Sequence, residues 1–254
     1  MTLIAIGGNE EKTGDMDVLK RVLAEAKGAA SRVHVITTAT GYPEEVGQTY
    51  REVFNALGVD CEVTHVATRA EAAYPGLLNK IGTADVVFFT GGDQLKLATI
   101  LGGTPFLDAV RERHEGGAVV AGTSAGAAIM SQLMIYGGDP EKAMQKGEVS
   151  LTAGFGLAPD VVFDTHFMNR GRLARLFNVI ATAPDKTGIG LDENTGVILR
   201  ADGELEVIGS GAVTLVDGRS LTRCNVAQIE RGEKIEADGF RITTLKAGDL
   251  YKLR

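Results

Sequence analysis

The chain has 254 residues, of which 44% are hydrophobic, 23% charged and 6% aromatic, and its formal net charge is −7. That composition excludes a disordered or fibrous protein, and the acidic balance argues against a broad nucleic-acid footprint, which needs a basic excess. The 33 glycines fall singly or in pairs between apolar runs, so they read as tight turns, and no run approaches the roughly 20 apolar residues of a membrane span.

Taken in chain order, residues 3–6 (Leu3-Ile4-Ala5-Ile6) form a first strand. No basic, long apolar leader is visible before it, which makes the cytoplasm the expected compartment. Val18, Leu19, Val22, Leu23 and Ala26 recur at helical spacing, and residues 33–37 read as the next strand. A helix over 44–57, an alternating strand over 61–66 and a strand buried on both faces over 85–90 follow. Helices over 95–101 and 106–113 lead to a strand at 118–121. This alternation predicts an α/β fold with a mostly parallel sheet flanked by helices. After about residue 199 the chain changes to short alternating strands broken by Asp202-Gly203, Asp217-Gly218 and Asp238-Gly239, which are hairpin signals. The organisation expected is one domain over 1–254, with a parallel α/β core over 1–199 and an antiparallel β extension over 200–254.

Cys61 and Cys224 have neither metal-ligand spacing nor the number for a disulfide framework and read as packing residues. No metal and no cofactor is expected. The sharpest motif is Gly122-Thr123-Ser124-Ala125-Gly126, a G-x-S-x-G pattern between a buried strand and an apolar, small-residue run. A strand turning sharply into a helix projects the central serine above the sheet, and its neighbour's amide, that of Ala125, is placed to meet an oxyanion. The alternative for Ser124 is an ordinary helix cap. Gly91-Gly92-Asp93-Gln94 follows the strand at 85–90 and reaches the same edge of the sheet, where ligands bind in open α/β folds. There the amides of Gly92 and Asp93 are candidate oxyanion donors and Gln94 a candidate for a substrate amide; a glycine turn with Asp93 as helix cap is compatible with both.

A serine nucleophile needs a base. His34 and His65 lie inside strand patterns and His114 in a charged helix end, whereas His166 follows the apolar run Val161-Val162-Phe163 and returns to the catalytic edge. Arg170, Arg172 and Arg175 follow it at near-helical spacing, a pattern suited to carboxylates because the guanidinium fork matches them bidentately. The acid that orients His166 is open between Glu193, at the end of the apolar run 189–191, and Glu141, in a polar loop. Glu193 is favoured because a strand end can hold a carboxylate beside the histidine.

Five ordered motifs carry a resemblance that spans nearly the whole chain: Ile6-Gly7-Gly8-Asn9-Glu10, Thr90-Gly91-Gly92-Asp93-Gln94-Leu95, Ala121 onward through the serine turn, residues 164–175, and residues 190–195. Together they resemble the cyanophycinase family, serine peptidases related to dipeptidase E within the class I glutamine amidotransferase-like fold. The resemblance implies hydrolysis of cyanophycin, a poly-aspartate with arginines on its side chains, to β-Asp-Arg dipeptides. It implies Ser124 as nucleophile and His166 as base, with Gln94, Asp164, Thr165, Arg170, Arg172 and Arg175 at the substrate; acids such as Asp164 or Asp93 are expected to meet guanidinium groups. It also implies a homodimer. The sequence departs from the family pattern at Thr165, where a glutamine is expected. Lys142 stands near the family's acid between serine and histidine, with Glu141 beside it. A dipeptidase for small aspartyl or isoaspartyl peptides and a non-catalytic binder on the same fold are the competing readings.

Overall fold

The computed structural model describes residues 1–253. Strand β1 (Thr2–Ile6) lies at the middle of an eight-stranded sheet and is followed by the amphipathic helix α1 (Asp17–Ala24), which buries Val18, Leu19, Val22 and Leu23. Then come β2 (Val33–Ile36), α2 (Pro43–Ala56), β3 (Cys61–Thr64), α3 (Pro75–Thr83) and β4 (Val86–Phe89). Proline at the first turn starts α2 and α3, where its missing N–H costs no hydrogen bond. Helices α4 (Gln94–Leu101) and α5 (Pro105–Glu115) lead into β5 (Val119–Thr123).

Strands β1, β5, β4, β2 and β3 pair in that order, all parallel. The central strands β1, β5 and β4 are apolar almost without interruption because both faces are covered, whereas the edge strand β3 exposes Glu62. Val86 and Phe88 turn toward α1 and α2, while Val87 and Phe89 turn toward α3, α4 and α5.

After β5 comes a single-turn helix, α6 (Ala125–Ala128), then a hairpin, β6 (Leu133–Gly138) and β7 (Val149–Ala153). Strand β8 (Val161–Thr165), helix α7 (Leu173–Thr182) and strand β9 (Thr187–Leu191) form a parallel unit. Strands β10 (Thr195–Arg200) and β11 (Glu204–Gly209) return antiparallel beside β1, and β12 (Ala212–Asp217) pairs with β9. A short ribbon, β13 (Arg223–Cys224) and β14 (Ala237–Asp238), precedes β15 (Arg241–Lys246) and β16 (Leu250–Lys252).

The late strands divide between two sheets. Strands β11 and β16 extend the main sheet, and β12 and β15 join β8 and β9 in a four-stranded sheet. So β8 is not part of the main sheet, although its C-terminal end comes to the same edge. No helix among the described residues is long and apolar enough to cross a membrane.

Candidate active site

The end of β1 organises three loops. The carbonyl of Ile6 accepts from the Ser124 amide at 2.9 Å, that of Gly7 from the His166 amide at 2.8 Å, and that of Gly8 from the Asn194 amide at 2.9 Å. Ser124, His166 and Glu193 thereby converge, though they come from β5, β8 and β9 and their loops. Ser124 sits at φ 52°, ψ −111°, a conformation that an L-residue adopts only when its surroundings impose it. The flanking glycines permit this: a Cβ at Gly122 would lie 2.3 Å from the carbonyl oxygen of Gly126, and one at Gly126 would lie 2.1 Å from that of Phe89.

Ser124 Oγ stands 2.9 Å from His166 Nε2, and His166 Nδ1 stands 2.8 Å from Glu193 Oε1. With Glu193 accepting the Nδ1 proton, Nε2 is left as acceptor for the serine hydroxyl. Asn9 Nδ2 donates to the second carboxylate oxygen of Glu193 at 3.2 Å. Burial holds the imidazole below the usual histidine range, opposed by its hydrogen bond to Glu193, with Arg170 pushing it further down. The Glu193 carboxyl is lowered by its hydrogen bond from His166 and then by that from Asn9. A neutral imidazole beside a charged carboxylate is the state a general base requires near neutral pH.

Glu141, the other acid left open by the sequence, is corrected by its position. It lies exposed in a 3-10 turn at Pro140–Lys142, its amide bonded to Asp139 Oδ1, and makes no contact with His166. The other histidines serve the framework: His34 Nε2 is 2.8 Å from Thr64 Oγ1, His65 Nδ1 3.2 Å from the Thr37 carbonyl and His114 Nδ1 3.0 Å from that of Ala118.

Asp93 needs a correction too. Its amide donates to the Ala39 carbonyl at 2.9 Å and its carboxylate caps α4 by accepting from the Leu95 amide at 2.8 Å. The amide is therefore not free for an oxyanion, while the exposed carboxylate keeps its second oxygen but does not line the cleft in front of Ser124. Gly92 lines the cleft in front of Ser124, and the Ala125 amide begins α6. That helix has only four residues, so its dipole adds little and the two amides themselves are the donors on offer. Gln94 Nε2 donates to the Ile135 carbonyl at 2.9 Å, tying the β6–β7 hairpin to α4, and the residue does not line the cleft.

The three arginines divide by partner. Asp164, with a fully buried side chain, is gripped by Arg175 through both oxygens, one of these bonds measuring 2.6 Å from Nε to Oδ2, and has Arg172 Nη1 at 3.6 Å. It therefore holds protein guanidinium groups, not a substrate's, which corrects that expectation. Arg172 also donates to the Thr165 carbonyl at 2.5 Å, and burial, then Arg175, push its pKa down to about 10. Thr165 is itself buried, at the end of β8. Arg170 has no ion pair among the described residues and lines the cleft beside His166.

This cleft measures about 700 Å³ and is also bounded by Glu10, Lys12, Thr49 and Tyr50. None of those four, nor the role of Asn9, was singled out as a site residue from the sequence; the signal available was a polar run directly after the first strand. A cavity of about 600 Å³ at the opposite ends of the strands, lined by Leu3, Arg111, His114 and Arg200 among others, contains no nucleophile–base pair.

A strained serine, its histidine and an acid on one sheet edge are the parts of a serine peptidase, and the sequence of this chain matches the family described as Peptidase family S51 over residues 1–208. The chain belongs to peptidase family S51. This S51 peptidase is 38% identical over 254 residues to a protein named cyanophycinase from Synechococcus elongatus, covering 99% of this chain and 79% of that one. It is 34% identical over 252 residues to one of the same name from Geminocystis herdmanii, covering 98% and 93%. Among solved structures, a peptidase from an acI-B1 Actinobacterium superposes with a TM-score of 0.77 at 21% identity, over 99% of this chain and 96% of that one. A putative peptidase E protein from Listeria monocytogenes gives a TM-score of 0.58 at 19% identity, over 83% and 98%. At those identities the structural likeness concerns the fold.

Proposed function

We propose that this S51 peptidase hydrolyses cyanophycin to β-Asp-Arg dipeptides through an acyl-enzyme on Ser124. The observation that carries the reading is the hydrogen-bonded chain Ser124–His166–Glu193 in a cleft that Arg170 lines with a guanidinium unpaired among the described residues; the relatives named cyanophycinase support the choice of substrate. Each unit of the polymer presents an arginine α-carboxylate, which the fork of a guanidinium is suited to receive. Arg172 and Arg175, held by the buried Asp164, fix the segment from which Arg170 projects.

Ser124 Oγ attacks the backbone carbonyl of an aspartyl unit while its proton passes to His166 Nε2, and Glu193 steadies the resulting imidazolium. Gly92 and Ala125 amides receive the oxyanion. His166 then gives the proton to the departing amine, and the C–N bond breaks. Water, deprotonated by His166, attacks the acyl-enzyme; the ester bond to Ser124 breaks and the hydroxyl regains its proton. Cleavage from the chain end, a cytoplasmic location and a homodimer belong to the same proposal.

A serine-directed phosphonylating probe tests the chemistry. Labelling at Ser124 in the intact protein, with loss of roughly four to six orders of magnitude of turnover in Ser124→Ala, is expected. Full turnover by that variant removes the assignment.

A further inference from the structure

A second charged pair lines the cleft and has no part in the steps above. Glu10 follows the strand end that anchors the triad, and its side chain is fully buried. Its Oε2 accepts from Thr123 Oγ1 at 2.6 Å, and its Oε1 accepts from the Tyr50 hydroxyl and from Lys12 Nζ, the latter at 3.0 Å. The Lys12 ammonium also donates to the Glu10 main-chain carbonyl at 3.2 Å and stands 5.2 Å from the centre of the Tyr50 ring. A carboxylate oxygen, a carbonyl oxygen and an aromatic ring thus meet at one cationic nitrogen, which is the chemistry that receives an organic cation.

The three donors to Glu10 are not equally fixed. Tyr50 and Thr123 are 3% and 4% exposed and sit on α2 and β5. The Lys12 side chain is 31% exposed and hangs on a flexible stem outside any helix or strand. It is the one partner that can leave without disturbing the core, and its departure opens the carboxylate to the cleft. Glu193, the other acid lining the cleft, is already taken by His166 and Asn9.

We propose that Glu10, with Tyr50, is a cation subsite of the cleft, and that in the free protein the Lys12 ammonium holds the place that the substrate's guanidinium takes. The proposal rests on the reading that the substrate carries arginine side chains. A guanidinium presents a planar fork of donors to the carboxylate and the carbonyl, stacks on tyrosine and is more weakly hydrated than an ammonium. Lys12 swings into solvent, where its charge is hydrated, and the buried carboxylate stays paired throughout. Glu10 and Lys12 are specificity-determining residues on this account, one a receptor and the other a built-in competitor.

The experiment compares initial rates on a synthetic β-Asp-Arg oligomer and on the same oligomer with citrulline, the neutral isostere of arginine. Lys12→Met keeps the stem and removes the charge. It is expected to lower KM for the arginine oligomer by about two- to five-fold, the range that a partly exposed ion pair is worth, and to leave the citrulline oligomer unchanged. Glu10→Gln is expected to raise KM for arginine and reduce the discrimination between the two. Lys12→Met changes a part-exposed side chain and leaves the Tyr50 and Thr123 hydroxyls on Glu10, so it decides the question if Glu10→Gln fails to fold. A higher KM for the arginine oligomer in Lys12→Met, or equal changes on both oligomers, overturns the proposal. If the wild type cleaves neither oligomer, the proposed function fails, and the subsite is then read from equilibrium binding of N-acetyl-arginine amide, a guanidinium ligand without a carboxylate. Tighter binding by Lys12→Met supports the subsite and unchanged binding overturns it.

Discussion

Gly8→Ala tests whether the end of β1 sets the position of the catalytic histidine. A Cβ at Gly8 would lie 2.3 Å from His166 Cε1 and 2.5 Å from Nε2, whereas an ordinary contact begins at 3.4 Å. The imidazole must therefore withdraw by about 1 Å, enough to break its 2.9 Å approach to Ser124 Oγ; a misplacement of that size lowers turnover about 100-fold. The backbone φ of 103° at Gly8 adds strain of roughly 1–3 kcal/mol for a residue with a Cβ, or roughly 2–4 °C in Tm for each kcal/mol in a chain of this size. Gly14→Ala supplies the control, because Gly14 has φ 76° with nothing within 4 Å of its Cβ position, so it carries the backbone strain and none of the collision. The assay is kcat on a β-Asp-Arg oligomer with Tm from calorimetry. Both variants are expected to lose Tm and only Gly8→Ala to lose kcat. A Gly8→Ala enzyme with wild-type kcat shows that the end of β1 does not set the position of the histidine.

Three further outcomes follow from the charges at His166 and at the buried Asp164. Glu193→Gln removes the carboxylate that favours the protonated imidazole, so the acid limb of kcat/KM, which marks loss of the neutral base, moves to lower pH while kcat falls about 10⁴-fold; a limb moving upward contradicts it. Arg170→Ala removes a cation that lowers the histidine pKa, so the limb moves to higher pH and KM for a carboxylate-bearing substrate rises, with Tm unchanged. Arg175→Ala leaves the buried Asp164 with Arg172 alone, at 3.6 Å, and is expected to cost about 3 kcal/mol of stability; a urea midpoint equal to wild type contradicts it.

Much of this architecture is legible in the residues. The run Val86-Val87-Phe88-Phe89 has no polar face, and only a strand covered on both sides buries it. The serine turn announces itself because Gly122 and Gly126 are where backbone meets backbone. Other features depend on pairing between distant segments, which local pattern does not carry. Nothing around Val161-Val162-Phe163 tells that β8 leaves the main sheet for β9. The Asp93 amide is spent on Ala39, a carbonyl more than 50 residues earlier, and Asp164 is gripped by Arg175 from the next helix; both look available when read in one dimension. Glu10 was visible as part of a motif, but its burial against Tyr50 and Thr123 joins three separate elements.

Mass analysis of the soluble products released from insoluble cyanophycin reads the reaction, the substrate and the cleavage mode together. β-Asp-Arg is expected as the sole product from the earliest time point, and none with Ser124→Ala. Longer fragments at early times contradict cleavage from the chain end, and no release from the polymer together with hydrolysis of free Asp-X dipeptides contradicts the substrate itself.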